Sequence, residues 1–364
     1  MGYRAVSART GSPVLVVGSG LLGASVGLAL RQLGVDVLLS GSSASAQALA
    51  VDYGAGRALA DGDEPVLVVV AVPPEKTSSV VAAQLEAWPN AVVTDVASVK
   101  ATVLAELVEH GADISRYVGS HPMAGRERGG AMSARADLFV GRPWVVCAHP
   151  ASQESALDRV ERLALDVDAV PVRLGAAEHD RAVAYISHVP QVISTLLAKQ
   201  LLHASATAVE LAGQGVRDTT RIAASDSGLW LQVLAANAQP VLEVLTRYRD
   251  DLDSIIQALS DVRASGARRT IADSFEAGNR GVSRLPGKHG VETRFASTIV
   301  MVDDRSGELA RLLAEIGDAG VNVEDLRLEH SPGAPIGLAE IWVVPESLPS
   351  LTAELEGRGW RIVS

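Results

Sequence analysis

One stretch constrains this chain more than any other: VLVVGSGLLGASVGLAL, residues 14–30. An apolar β-forming run meets an amphipathic helical run, and Gly18, Gly20 and Gly23 stand at the junction in G-x-G-x-x-G spacing. Each glycine has a physical task there. Gly18 permits a tight turn, Gly20 lets the backbone approach a pyrophosphate, and Gly23 lets helix and strand pack closely. The helix start adds N–H groups and a positive dipole end. The junction predicts a dinucleotide-binding unit, with Gly18, Gly20, Leu21, Leu22 and Gly23 as cofactor contacts. The glycines and serines make the run a strand-turn-helix rather than a membrane span.

Further Val/Leu runs follow: VDVLLSG, PVLVVVAVPP, AVVTDVAS, RYVGSHP and RPWVVCAHP, alternating with helical patterns up to residue 174. Continuous apolar runs suit strands buried on both faces of a mostly parallel sheet. Residues 1–174 are therefore expected to form an α/β Rossmann-type domain, a doubly wound parallel sheet. Strand runs then vanish, and residues 175–280 carry long helical periods, expected to form an all-α domain for substrate and dimerisation. Residues 281–294, rich in glycine and basic side chains, suit a linker. Residues 295–364 spell β-α-β-β-α-β, a small ferredoxin-like α+β unit.

Composition excludes several functions. The net charge is −11, so no basic surplus neutralises nucleic-acid phosphates or an anionic membrane. The single cysteine, Cys147, lies in an apolar run, which excludes a disulfide scaffold and fits a reducing, cytoplasmic setting. No Cys/His cluster has zinc spacing, so no metal is expected. The start, MGYRAVSARTGSP, lacks the apolar core of a signal peptide.

In a doubly wound sheet the strand C-termini face the ligand crevice. There the sequence places Ser40 and Ser42 after the second strand, the Val72–Pro73 turn, TDVASVK (94–100) and GSHPMAG (119–125). The second strand ends LLSGSS, with neither the acid that selects NAD nor an arginine for NADP. NAD is the expected cofactor, with NADP left open.

The segments TDVASVK, GSHPMAG, EHDRAVAYISHVP and GVRDTTRIAASDSGLW follow the glycine motif in order. Together they resemble the prephenate/arogenate dehydrogenase family over residues 14–285. The tail, with DDRSGELARLLAEIGDAGVNVEDL, resembles an ACT domain, an amino-acid-sensing module. The resemblance implies NAD(P)-dependent oxidative decarboxylation of prephenate to 4-hydroxyphenylpyruvate, or of arogenate to tyrosine, in a cytoplasmic homodimer.

Such a reaction removes a hydride from the ring carbinol carbon and a proton from its hydroxyl, and releases the ring carboxylate as CO₂. It needs a proton acceptor near neutral pH and cationic anchors. His121 suits the acceptor, and Ser98 can bond both imidazole and substrate hydroxyl. Arg221 matches the family's substrate-anchoring arginine, and Arg217 is a second candidate. Glu127 and Trp230 match residues lining the family's site, with Trp230 also readable as core. His179 and Asp180 match a His-Asp pair, read as supporting or subunit-contact residues, or as a helix cap. Many relatives carry S-H-L-P-H where this chain has Ser187-His188-Val189-Pro190-Gln191. Gln191 is expected beside the substrate side chain, where prephenate has a keto group and arogenate an ammonium.

In the tail, Asp304, Gly307 and Asn322 sit at the turns where an ACT domain holds its effector, with tyrosine the expected one. Two other functions compete. A β-hydroxyacid dehydrogenase would want a catalytic lysine in the helical region, where only Lys199 is available. A non-catalytic sensor of nicotinamide and amino acid would not need Ser98, His121 and Arg221 together.

Overall fold

The structure, a computed structural model, describes residues 8–125, 130–285, 295–330 and 335–363. Its contacts form two units: Met1–Ala204 with Thr219–Tyr248, and Ser205–Asp218 with Arg249–Ser364.

The first unit is built on β1 (Val14–Val17), β2 (Val37–Ser40), β3 (Arg57–Ala58), β4 (Leu67–Val70) and β5 (Val92–Asp95). All pairings are parallel, in the order β3-β2-β1-β4-β5. Helices α1 (Leu21–Gln32), α2 (Ala44–Asp52), α3 (Pro74–Ala87) and α4 (Ala101–Glu109) complete this half. Alternate strand residues feed two cores, Val14, Val16 and Val69 on one face, Leu15, Val17 and Val68 on the other. A strand covered on both faces has no polar side, hence the unbroken Val/Leu runs. Strand order reverses between β1 and β4, so the loops after them meet at the switch point.

A single, mostly parallel sheet through residue 174 is not what forms. β6 (Gly119–Pro122), β7 (Pro143–Ala148) and β8 (Val170–Gly175) make a separate three-stranded sheet, with α5 (Glu154–Asp166) between β7 and β8. β6 runs antiparallel to β7, and β7 parallel to β8. A Val93–Tyr117 bridge links the first sheet to the segment entering β6. Within this sheet, α5 supplies the helical crossover that the parallel β7–β8 pair needs.

The helical region follows as α6 (Ala176–Val183), a π-helical turn (Ala184–His188), α7 (Val189–Gln200), α8 (Ala206–Glu210), α9 (Gln214–Thr220), α10 (Ser227–Ala236), α11 (Ala238–Ser260) and α12 (Ala267–Val282). Pro190 has no N–H to give the preceding turn, and the widened π turn sits where that bond is lost. Asp226 caps α10 by accepting the Leu229 N–H at 2.8 Å. α12 runs to Val282, two residues into the expected linker.

In the second unit β9 (Ala296–Asp303), α13 (Glu308–Asp318), β10 (Asp325–His330), β11 (Ile336–Val343), α14 (Leu348–Gly357) and β12 (Arg361–Val363) follow one another. The sheet order is β10-β11-β9-β12, antiparallel at each pairing. Val300, Val302, Ile341 and Val343 share one core with Leu312, Ile316, Leu351 and Leu355, so both helices cover one face. This is the ferredoxin-like arrangement. Among the described residues no helix is long and apolar enough to cross a membrane, and no acidic, His or Cys group could hold a metal.

Candidate active site

The glycine turn is shaped for a phosphate. A Cβ on Gly18, whose φ is +111°, would lie 2.3 Å from the Ala71 carbonyl oxygen, and one on Gly23 would lie 2.0 Å from that of Gly18. Strand, turn and helix are thus as close as backbones permit, which fixes glycine at both positions. A Cβ on Gly20 would meet nothing within 4 Å, so the space in front of α1 is open. The Ser19 hydroxyl, in a residue 8% exposed, has no partner among the described residues. An orphaned hydroxyl, an open glycine and a helix start fit a pyrophosphate. Leu21 and Leu22 open α1, and Val72 and Pro73 follow β4 beside Gly18. Ser40 ends β2 and Ser42 is exposed, while the neighbouring Ser43 caps α2 through the Ala46 N–H.

His121 lies on β6, paired with Val145 of β7. Its Nδ1 is 2.8 Å from Nε2 of His179, and His179 Nδ1 is 2.7 Å from the Asp180 carboxylate. His179 and Asp180 are 0% and 2% exposed. They sit in the second turn of α6 and do not cap it. Asp180 instead accepts the backbone N–H of Lys100 at 2.9 Å and of Ala101 at 2.8 Å, where α4 begins. Burial alone would raise the Asp180 pKa, but its bonds from His179, Ala101 and Lys100 hold it below the usual carboxylate range.

The chain of bonds fixes proton positions. A carboxylate only accepts, so His179 donates from Nδ1. In the neutral ring Nε2 then accepts, so His121 donates from Nδ1, and its own Nε2 keeps a lone pair. Desolvation, then the neighbouring His179, Lys100 and His188, hold the His121 pKa well below 6.5. Ser98, half-buried in the loop after β5, forms no hydrogen bond to His121; its hydroxyl has no partner among the described residues. The expected Ser98–imidazole bond is absent; the His121 ring is held instead through Nδ1, which donates to His179.

Beneath the Ser98 loop and β6 lies an ion pair that the sequence alone does not reveal. Lys100 Nζ meets the Asp95 carboxylate, with 1% and 0% side-chain exposure, and donates to the Ser120 carbonyl at 2.8 Å. The Tyr117 hydroxyl donates to Asp95 at 2.7 Å. Residues next to Ser98 and His121 are thereby tied together. The apolar stem of Lys100 gave no warning of a buried charge; the fifth-residue spacing from Asp95 was the available signal.

Asn237 extends the network, donating to the Asp180 carbonyl at 2.8 Å and to His188 Nδ1 at 3.0 Å. Burial pushes His188 down to about 4. The half-buried Trp230 stands edge-on to His188, ring centres 6.0 Å apart. Gln191 donates to the Ile222 carbonyl at 2.9 Å and the Ser225 hydroxyl at 2.6 Å, which ties α7 to the Arg221–Ala223 turn. Its amide donors are committed to the protein, so only its carbonyl oxygen is left for a ligand. Arg221 is exposed on that turn; Arg217 belongs to the second unit, with a 3.5 Å bond to the Ala212 carbonyl. Glu127 lies outside the described residues.

Residues 26–173 match the family described as prephenate dehydrogenase, nucleotide-binding domain, and 175–273 its dimerization domain. The chain is 37% identical over 354 residues to the probable prephenate dehydrogenase NovF of Streptomyces niveus, covering 95% of this chain and 98% of that one. The chain belongs to the prephenate dehydrogenase family. Within that family it is 27% identical to the prephenate dehydrogenase of Lactococcus lactis, over 85% of this chain and 87% of that one. The solved arogenate dehydrogenase of Synechocystis superposes with a TM-score of 0.61 at 25% identity, covering 74% of this chain and 99% of that one. The prephenate dehydrogenase family thus accounts for the α/β region from residue 26 on and for the helical region, the latter matched as a dimerization domain.

Proposed function

We propose that this protein is an NAD-dependent prephenate dehydrogenase, converting prephenate to 4-hydroxyphenylpyruvate and CO₂ in tyrosine biosynthesis. The observation that carries this is the Asp180–His179–His121 chain, which leaves His121 Nε2 as a neutral acceptor. The cradle at Gly18, Gly20 and Gly23, with Ser19 beside it, would hold the dinucleotide pyrophosphate. When bound there, the nicotinamide would supply the acceptor for the hydride on the ring carbinol carbon. His121 Nε2 takes the hydroxyl proton, and Ser98 Oγ holds that hydroxyl in line. Arg221 grips a substrate carboxylate through its fork, with Trp230 as a further contact. Loss of the ring carboxylate then restores aromaticity.

Arogenate is a second reading. With the Gln191 donors committed, an acceptor oxygen remains, which suits an ammonium better than a keto group. We read residues 295–364 as an ACT-like regulatory domain and tyrosine as its effector, near Asp304, Gly307 and Asn322. The sheet order supports it. Gly307 has φ +94° before α13, and Asn322 donates to Glu324 at 2.8 Å. A cytoplasmic homodimer completes the reading. Incubation with prephenate and NAD should release one CO₂ and one reduced nicotinamide per 4-hydroxyphenylpyruvate. Reduction without CO₂ would point to a different alcohol substrate.

A further inference from the structure

We infer that His179 is the second station of a proton relay, taking from His121 the proton that leaves the substrate hydroxyl. This rests on the proposed dehydrogenase reading and adds a role for a residue that never touches substrate. The contacts are ordered for it: Nδ1 of His121 lies 2.8 Å from Nε2 of His179, and Nδ1 of His179 lies 2.7 Å from Asp180. In the transfer, the substrate O–H bond breaks and its proton binds His121 Nε2. The proton on His121 Nδ1 passes to His179 Nε2. His121 ends neutral in its other tautomer, and His179 ends as an imidazolium against the Asp180 carboxylate.

The surroundings favour charge at the second ring. Facing His121 are the positive Lys100, whose own partner is Asp95, and His188 from the π turn. None of these is an anion in contact with the His121 ring, and burial opposes a charge on it. His179 is buried as well, but it meets an anion. Asp180 touches the ring, and two backbone amides and Asn237 hold Asp180 in place. Glu178, one residue before, is a further acid on α6, while Tyr117 faces Asp95 rather than either ring. A cation is stabilised where it meets a fixed carboxylate.

The test is His179→Gln, whose amide oxygen accepts from His121 Nδ1 but cannot take a proton. The relay predicts that kcat falls by roughly 10- to 100-fold, with KM and cofactor affinity unchanged. It also predicts that the acid limb of the kcat–pH profile moves to lower pH, because the proton is then held by His121 alone. If kcat drops and the limb stays, His179 only props up His121 and the relay is wrong; unchanged kcat overturns it too. Should the Gln variant fail to fold, His179→Asn gives the same two readouts. Wild-type protein that turns over neither prephenate nor arogenate would overturn the functional reading itself, a separate result.

Discussion

His121 and Gly20 make the sharpest predictions at the scale of single residues. His121→Asn should lower kcat by about 10²- to 10⁴-fold while dinucleotide affinity, measured by fluorescence titration, stays. An unchanged rate would remove His121 as the acceptor. Because the His121 pKa lies well below 6.5, the residual activity of His179→Gln should persist as pH falls past that value, and then drop as the imidazole charges. Gly20→Ala should leave folding intact, since its Cβ meets nothing within 4 Å, yet weaken the cofactor by filling the pyrophosphate's path. Thermal melting and cofactor titration on the same sample separate the two effects. The glycines and His121 were legible in the sequence because each is a local signal: a spacing, or a histidine held in a glycine-bounded loop. The contact between His121 and His179 was not, because 58 residues separate them and only the packing of α6 against β7 and β8 brings them together.

The loop that carries Ser98 and the strand that carries His121 are tied together by a buried pair. The Lys100–Asp95 pair joins the end of β5 to the carbonyl at Ser120 on β6. Removing one partner leaves a buried charge unpaired, which typically costs about 3–5 kcal/mol. Lys100→Ala should therefore lower stability to urea by that order, and the double change with Asp95→Asn should recover part of it. If the single change proves neutral, the pair does not brace the loop and the strand. His188 adds a pH term. Its folded pKa is about 4, below the unfolded value near 6.5, so the unfolded chain binds more protons between them. Stability should be full above pH 6.5 and decline as pH falls toward 4, which His188→Gln should blunt. The strands of the first sheet were legible as apolar runs because both faces are covered. The split after β5 was not, since β7 has the same buried run as a parallel strand and its antiparallel neighbour is decided by connection geometry.

The whole molecule poses questions of assembly and control. Leu202, Leu211 and Leu231 of the helical region are each more than two-thirds exposed, in the segment matched as a dimerization domain. Apolar side chains of this kind call for cover. Light scattering should give twice the chain mass of 37.9 kDa, and Leu231→Glu should shift it toward one chain. Removing residues 295–364 should abolish tyrosine inhibition without loss of cofactor binding; inhibition that survives would leave the C-terminal unit without a sensing role. The β-α-β-β-α-β order of that unit was legible from alternating periods, but a shared order says nothing of what its turns hold. The most direct test of the account is an initial-rate measurement of nicotinamide reduction, crossing prephenate and arogenate with NAD and NADP, on wild type and His121→Asn. The account predicts reduction by the wild type with prephenate and NAD, and near silence from the variant. Silence from the wild type in all four combinations, with the cofactor still bound, would contradict it.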